Sequence, residues 1–218
     1  KLLKKLDKKL SSLRGYHPES GEMNQDAFFV VSNYITNSIS IPDLFRNMQK
    51  AVDYQASKGI GCIHTVSGVG FMYNLDITME QVFGRSLSNG FQLRVFPQSL
   101  NVRSATIRKL PRIGGCFQCA LDGCFGSHDA SLNEPYVDGG DGVLYYDDQK
   151  VIEFCKKANR ANLQIELHAI GDQAFDQACR AIKAALDDYP RVDHRHGIIH
   201  DCLPTKEGIE ICKAYHIQ

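Results

Sequence analysis

Five short apolar runs recur along the chain, each divided from the next by a stretch of helical periodicity or a long polar loop. The runs lie at 60–66 (IGCIHTV), 92–96 (QLRVF), 116–121 (CFQCAL), 163–169 (LQIELHA) and 196–200 (HGIIH). Helices are predicted over 41–58, 78–88, 147–159, 172–186 and 205–214, with a helix or loop over 99–110. The first has Pro42 near its start and Gly59 just past its end, the expected asymmetry of helix termini. In 147–159 the residues Val151, Ile152, Phe154, Cys155 and Ala158 share one face, as a 3.6-residue repeat demands. Strands alternating with helices of ten or more residues predict βαβ units and a parallel sheet. Two architectures satisfy that pattern, a doubly wound open sheet and a (β/α)8 barrel, and both place their active sites at the C-terminal ends of the strands.

Charge narrows the partners. Twenty-five Lys and Arg balance 25 Asp and Glu across 218 residues. A main partner that is nucleic acid or an anionic membrane demands an excess of positive charge, so neither is expected. A small-molecule substrate is, with a homo-oligomer left open. No run reaches the roughly 18–20 apolar residues of a membrane span. Eight cysteines, several inside apolar runs, are read as reduced, mostly buried thiols acting as small hydrophobes, which predicts a cytoplasmic protein. Residues 1–14 carry six Lys and Arg, with Leu2, Leu3, Leu6, Leu10 and Leu13 at helical spacing. A helix lying on its own domain is favoured there over a membrane-surface helix. A polar loop is expected at 15–26. The chain is divided at 40, into an N-terminal helix and loop (1–40) and a barrel portion (41–218).

Polar residues gather at strand C-termini. His168 closes LQIELHA, His200 closes HGIIH, His64 comes late in IGCIHTV, and Asp122 follows CFQCAL. Imidazoles ending successive apolar strands converge on one mouth, and imidazole with carboxylate suits zinc and other divalent metals. His194-Arg195-His196 spells an HxH pair, but it precedes its strand and is expected at the wrong end. Cys116-x-x-Cys119 with Cys124 has no second CxxC to complete a zinc ribbon, so these thiols are read as structural. The 25-residue loop 122–146 is long for a compact domain, and such loops are usually functional. Tyr136, Tyr145, Tyr146 and His128 within it are pocket candidates, with exposed turn positions as the equal alternative.

The stretch 166–174, ELHAIGDQA, resembles the strand-five HAIGDxA motif of the amidohydrolase superfamily, in the branch of N-substituted formamide deformylase-like metal-dependent hydrolases. GIGCIHT (59–65), LDGCFGS (121–127) and RHGIIH (195–200) resemble that branch's second-strand, post-strand-four and sixth-strand elements in the same order. The resemblance spans roughly 40–218. It implies strands two to six of a (β/α)8 TIM barrel, incomplete here at about five βα units. His168 and His200 then match two metal ligands. Gln118 falls where many relatives carry a bridging carboxylated lysine, which a glutamine cannot form, so one divalent ion, zinc foremost, is expected rather than two, with Gln118 contacting substrate. Asp122 is the second catalytic candidate. Asp172 is read as a helix N-cap.

The family's first-strand HxH pair and eighth-strand Asp have no counterparts in place here. A barrel piece with two open sheet edges is unfavourable, and the expectation is that the chain is part of a longer polypeptide. The implied activity is hydrolysis of carbon–nitrogen bonds in amides or cyclic amides by a metal-activated water. With two imidazoles alone, the isolated chain is expected to hold metal poorly and to turn nothing over. The competing readings are a metal-free binding or regulatory module on the same scaffold and, more distantly, a cysteine-based redox protein.

Overall fold

A computed structural model describes residues 6, 8–13, 15–68 and 74–218, Gln25 by its backbone alone. The chain divides into two compact units, Lys1–Arg94 and Val95–Gln218.

In the first unit Leu6 and Leu10 are buried with Ala27, and Leu13, Tyr16, Met23, Val30 and Val31 pack around them. Leu2 and Leu3 lie outside the described residues. The predicted polar loop contains a short antiparallel pair, β1 (Tyr16–His17) and β2 (Glu22–Met23). Helix α1 (Gln25–Thr36) has no counterpart in the sequence reading. Its Phe-Phe-Val-Val run favours helix only weakly, and tertiary packing of Ala27, Val30 and Val31 at helical spacing decides the conformation. Helix α2 (Ile41–Ser57) starts at Ser40, whose side chain accepts from the Asp43 N–H at 3.3 Å. It is followed by β3 (Cys62–Ser67), α3 (Leu75–Ser86) and β4 (Gln92–Pro97). β3 and β4 are hydrogen-bonded neighbours. Val52, Phe83 and Phe91 form the local core.

The second unit runs α4 (Arg103–Thr106), β5 (Arg112–Ala120), α5 (Asp148–Arg160), β6 (Gln164–Ala169), α6 (Asp172–Asp188), β7 (Gly197–His200) and α7 (Lys206–Tyr215). β5, β6 and β7 are parallel and in chain order. The expectation of one continuous five-strand sheet is corrected: among the described residues β3–β4 and β5–β6–β7 are separate sheets.

β6 explains why this unit holds together. Ile165, Leu167 and Ala169 are fully buried, alternating with Gln164 and Glu166. Burial pushes the Glu166 carboxyl up to about 7, against a hydrogen bond from Gln164. α6 covers the sheet with a narrow stripe of Ala174, Ala178, Ala181 and Ala185, joined by Phe175 and Ile182, and α5 and α7 flank it. Asp147 caps α5 by accepting from the Lys150 N–H, and Thr205 caps α7 by accepting from the Gly208 N–H, each worth about 1 kcal/mol. Asp172 is the first helical residue rather than the cap, which is Gly171. Its carboxylate accepts instead from the N–H groups of Asn133 and Gln173.

Candidate metal centre

The site begins with a break in β5. Gly115 pairs with Leu167, but the next paired residue, Ala120, already faces His168. Cys116, Phe117, Gln118 and Cys119 therefore stand outside the pairing as a large bulge. Gly114 makes the close approach possible: at φ +122° it lies where a Cβ would come within 1.9 Å of the Glu166 carbonyl oxygen. Phe117 takes a left-handed backbone at φ +49°, unusual for a bulky residue. Bulges of this kind re-aim side chains beside functional sites, and here the side chain aimed is Cys116.

His168 is the last residue but one of β6, buried at 9% exposure. His200 ends β7 and pairs with Ala169, not with His168, so a regular pleat would send the two rings to opposite faces. Left-handed backbone at His200 (φ +81°) and Asp201 (φ +48°) interrupts that pleat, and the rings meet edge to face at 4.6 Å. Strained conformations of this sort persist where surrounding structure fixes them. Cys116 Sγ lies 3.9 Å from His200 Nε2. One donor atom each from Cys116, His168 and His200 lie within 4.8 Å of one another.

Asp122 holds the arrangement. It is fully buried, and its two carboxylate oxygens accept from the N–H groups of Ser131, Ile170 and Gly171 at 2.9, 3.0 and 2.7 Å. The close pass of the chain at Gly171 requires glycine, since a Cβ there would meet the Ser131 carbonyl oxygen at 1.9 Å. Asp122 Oδ1 also stands 3.5 Å from His168 Nε2, and Nε2 donates to the Gly123 carbonyl at 3.2 Å. That leaves Nδ1 of His168 buried without a hydrogen-bond partner. Partners on one ring nitrogen fix which nitrogen offers its lone pair, so Nδ1 is the atom His168 presents. Burial opposes charge on His168, but Asp122, Cys116 and the Gly123 carbonyl outweigh it and raise the imidazole to about 10. His200 is lowered, by burial and by the neighbouring His168, against Asp122. A buried, unpartnered ring nitrogen beside a thiol and a second imidazole is a donor set that, on giving up its protons, fits a borderline divalent cation.

Gln118 has an exposed side chain on the bulge, and its carbonyl accepts from Tyr146 Oη at 2.8 Å. The β5 side chain that joins the imidazoles is Cys116. Its signal was present in the sequence as Gly114-Gly115 just ahead of it, a pair that weakens regular strand. His64 is an exposed residue of β3 in the first unit. The loop 122–146 is braced from within. Tyr145 donates to Asp129 and Tyr136 to the Ala130 carbonyl, both at 2.9 Å, while His128 stacks on Tyr136 at 4.9 Å.

Comparison with known proteins agrees with this architecture. Residues 24–214 match the model of the Amidohydrolase family. Over 99 residues the chain is 33% identical to the Bacillus subtilis protein YtcJ, which carries an amidohydrolase name, covering 44% of this chain and 18% of that protein. Over 64 residues it is 36% identical to LONG AFTER FAR-RED 3 of Arabidopsis thaliana, 28% of this chain and 11% of that protein. Two crystal structures of uncharacterized metal-dependent hydrolases share the fold. The Pyrococcus furiosus protein has a TM-score of 0.69 at 18% identity, over 98% of this chain and 46% of its own. The Pyrococcus horikoshii protein has 0.72 at 19%, over 100% and 44%. The chain thus spans less than half the length of either solved relative. With a family match running from α1 to α7, the chain belongs to the amidohydrolase family.

Proposed function

We propose that this chain supplies consecutive βα units and a metal-binding mouth to a (β/α)8-barrel hydrolase that cleaves carbon–nitrogen bonds in amides or cyclic amides. The observation that carries the reading is the unpartnered, buried Nδ1 of His168 beside Cys116 and His200. Cys116 Sγ, His168 Nδ1 and His200 Nε2 are the atoms that would hold one divalent ion. Zinc suits a mixed thiolate and imidazole set, and catalytic zinc sites use three protein ligands with one open position. The ion, when bound, supplies a Lewis acid and acidifies a water from a pKa of 15.7 to about 7. The residues of this chain do the rest. Asp122 and the Gly123 carbonyl hold the proton on His168 Nε2 and orient the ring. The β5 bulge turns Cys116 into the mouth. Gln118, exposed beside it, is assigned the contact with polar atoms of the substrate. Because a ligating thiol must lose its proton, cation uptake releases acid.

The test is titration with Co²⁺, a spectroscopic stand-in for zinc, followed by amidase and cyclic-amidase assays on the full-length protein. A sulfur-to-cobalt charge-transfer band that disappears in Cys116→Ser supports the site. Stoichiometric binding without that band overturns the role of Cys116, and no binding at all overturns the metal reading.

A further inference from the structure

The interface between α6 and α7 is built in rungs. Phe175 meets Gly208 so closely that a Cβ on Gly208 would come within 2.3 Å of the ring. Four residues on along both helices, Cys179 Sγ and Cys212 Sγ stand 3.7 Å apart. Another turn on, Lys183 Nζ lies 5.2 Å over the Tyr215 ring, and Tyr215 Oη donates to Asp187 at 2.6 Å. At the near end Thr205 donates to Asp176. The helices run side by side in the same direction, and contacts on both sides of the thiols fix their register. Cys179 is fully buried and its thiol also points at the Gly208 carbonyl at 3.7 Å. Cys212 is half-buried and borders an open cavity with Ile209, Lys213 and Ile217, so reagent reaches the pair from its side.

We infer that Cys179 and Cys212 are a redox modification site, closing to a disulfide that clips α6 to α7 when the chain meets a small-molecule disulfide oxidant. Both cysteines are free thiols here. A disulfide needs its sulfurs at about 2.05 Å, so closure requires the 3.7 Å gap between the two sulfurs to be taken up by rotation of the side chains. The exchange balances. The Cys212 thiolate attacks one sulfur of RS–SR, forming a mixed disulfide and releasing RS⁻, which takes up a proton. Cys179, after giving its proton to solvent, attacks Cys212 Sγ and displaces the second RS⁻. Two electrons pass from the protein to the small disulfide, which leaves as two thiols. The hydrogen bond from Cys179 holds the Cys212 thiol below the usual range, while Cys179 is pushed up, which agrees with Cys212 as the attacking residue.

Incubation of the full chain with glutathione disulfide, followed by peptide mapping under non-reducing conditions, tests this. The expected result is a Cys179–Cys212 linked peptide, loss of two hydrogens at that pair, and return of both thiols with reductant. Cys179→Ser should instead accumulate glutathione on Cys212, and Cys212→Ser should leave Cys179 unmodified. Glutathione retained on Cys212 in the wild-type chain with Cys179 still free would overturn the proposal. So would modification confined to the exposed Cys62, Cys124 or Cys202. Because Cys212→Ser changes a half-buried residue, its outcome can be read even if the buried Cys179→Ser variant folds poorly.

Discussion

Two imidazole pairs occupy opposite ends of β7, at almost the same ring separation. His168 and His200 meet at 4.6 Å at its C-terminal end, and His194 and His196 lie 4.5 Å apart at its start. At the second pair every ring nitrogen is engaged. His194 Nδ1 accepts from the His196 N–H at 2.9 Å and its Nε2 donates to the Tyr215 carbonyl at 2.8 Å. His196 Nδ1 accepts from the Ile165 N–H and its Nε2 donates to Asn159 Oδ1, both at 3.1 Å. Asn159 in turn donates to the carbonyls of Ala185 and Tyr189 and accepts from Arg191. This pair is a hub joining β6, β7 and the ends of three helices. At the first pair one ring nitrogen, Nδ1 of His168, is buried and unmet, and the Cys116 thiol lies beside the pair. The difference teaches that spacing does not make a metal site. His194 and His196 have the spelling of a ligand pair and none of the free valence, while His168 and His200 are far apart in sequence and have it.

The largest expected effect breaks the lower pair. His196→Ala removes the acceptor of the Ile165 N–H, strips Asn159 of a donor and leaves a cavity in a fully buried place. A loss of about 3–4 kcal/mol is expected, read by urea unfolding. A loss below about 1 kcal/mol would show that the hub does not hold the unit together. Next comes the upper pair. His200→Ala touches an exposed side chain and should change stability by no more than about 0.5 kcal/mol, yet weaken Co²⁺ binding by about 100-fold or more, beyond what loss of an outer partner costs. The two variants should thus separate cleanly, one in the unfolding curve and the other in the metal titration. Equal effects of both on both readouts would erase the distinction.

Asp122→Asn sharpens the comparison from within the upper site. The amide keeps one acceptor but loses the charge beside His168 Nε2. Cation affinity should fall about 10- to 100-fold, with a stability loss of about 1–3 kcal/mol from imperfectly met N–H groups. A positioning role predicts that the cobalt charge-transfer band of Cys116 survives at saturating metal. Disappearance of the band would show that Asp122 shapes the whole donor set rather than one ring.

How far these regions were legible in the sequence follows from what holds them. α2, α5, α6 and α7 were readable because their apolar period, caps and stops agree. β6 and β7 were readable because they are short apolar runs with a histidine at or next to the C-terminal end. His168 and His200 were legible for the same reason. Cys116 was not, because a periodic reading assumes a regular pleat and the bulge at 116–119 breaks it. β5 was placed four residues late for that reason. α1 was missed because its helical state rests on contacts with Leu6 and Leu10 rather than on its own residues.

The last expected effect is spread over pH and belongs chiefly to the pair at the start of β7. Burial, with the nearby charges of His194 and Arg191, lowers His196 to about 3 in the folded chain, against about 6.5 in an unfolded one. The fold therefore favours the neutral ring. The stability this contributes is fully present above pH 6.5 and is withdrawn as pH falls from there toward 3, because the unfolded chain takes up a proton that the hub refuses. The slope expected from one proton is about 1.4 kcal/mol per pH unit within that window. Urea midpoints measured from pH 7 to pH 4 should fall accordingly in the wild-type chain. In His196→Gln, whose amide has both a donor and an acceptor for the hub and does not titrate, the component due to this ring should vanish while the remaining acid sensitivity persists. His200→Ala should leave the component due to His196 in place and remove only the share of its own lowered ring, which does not touch the hub. A wild-type slope that His196→Gln fails to reduce would place the acid-sensitive group elsewhere and remove the contrast between the two ends of β7.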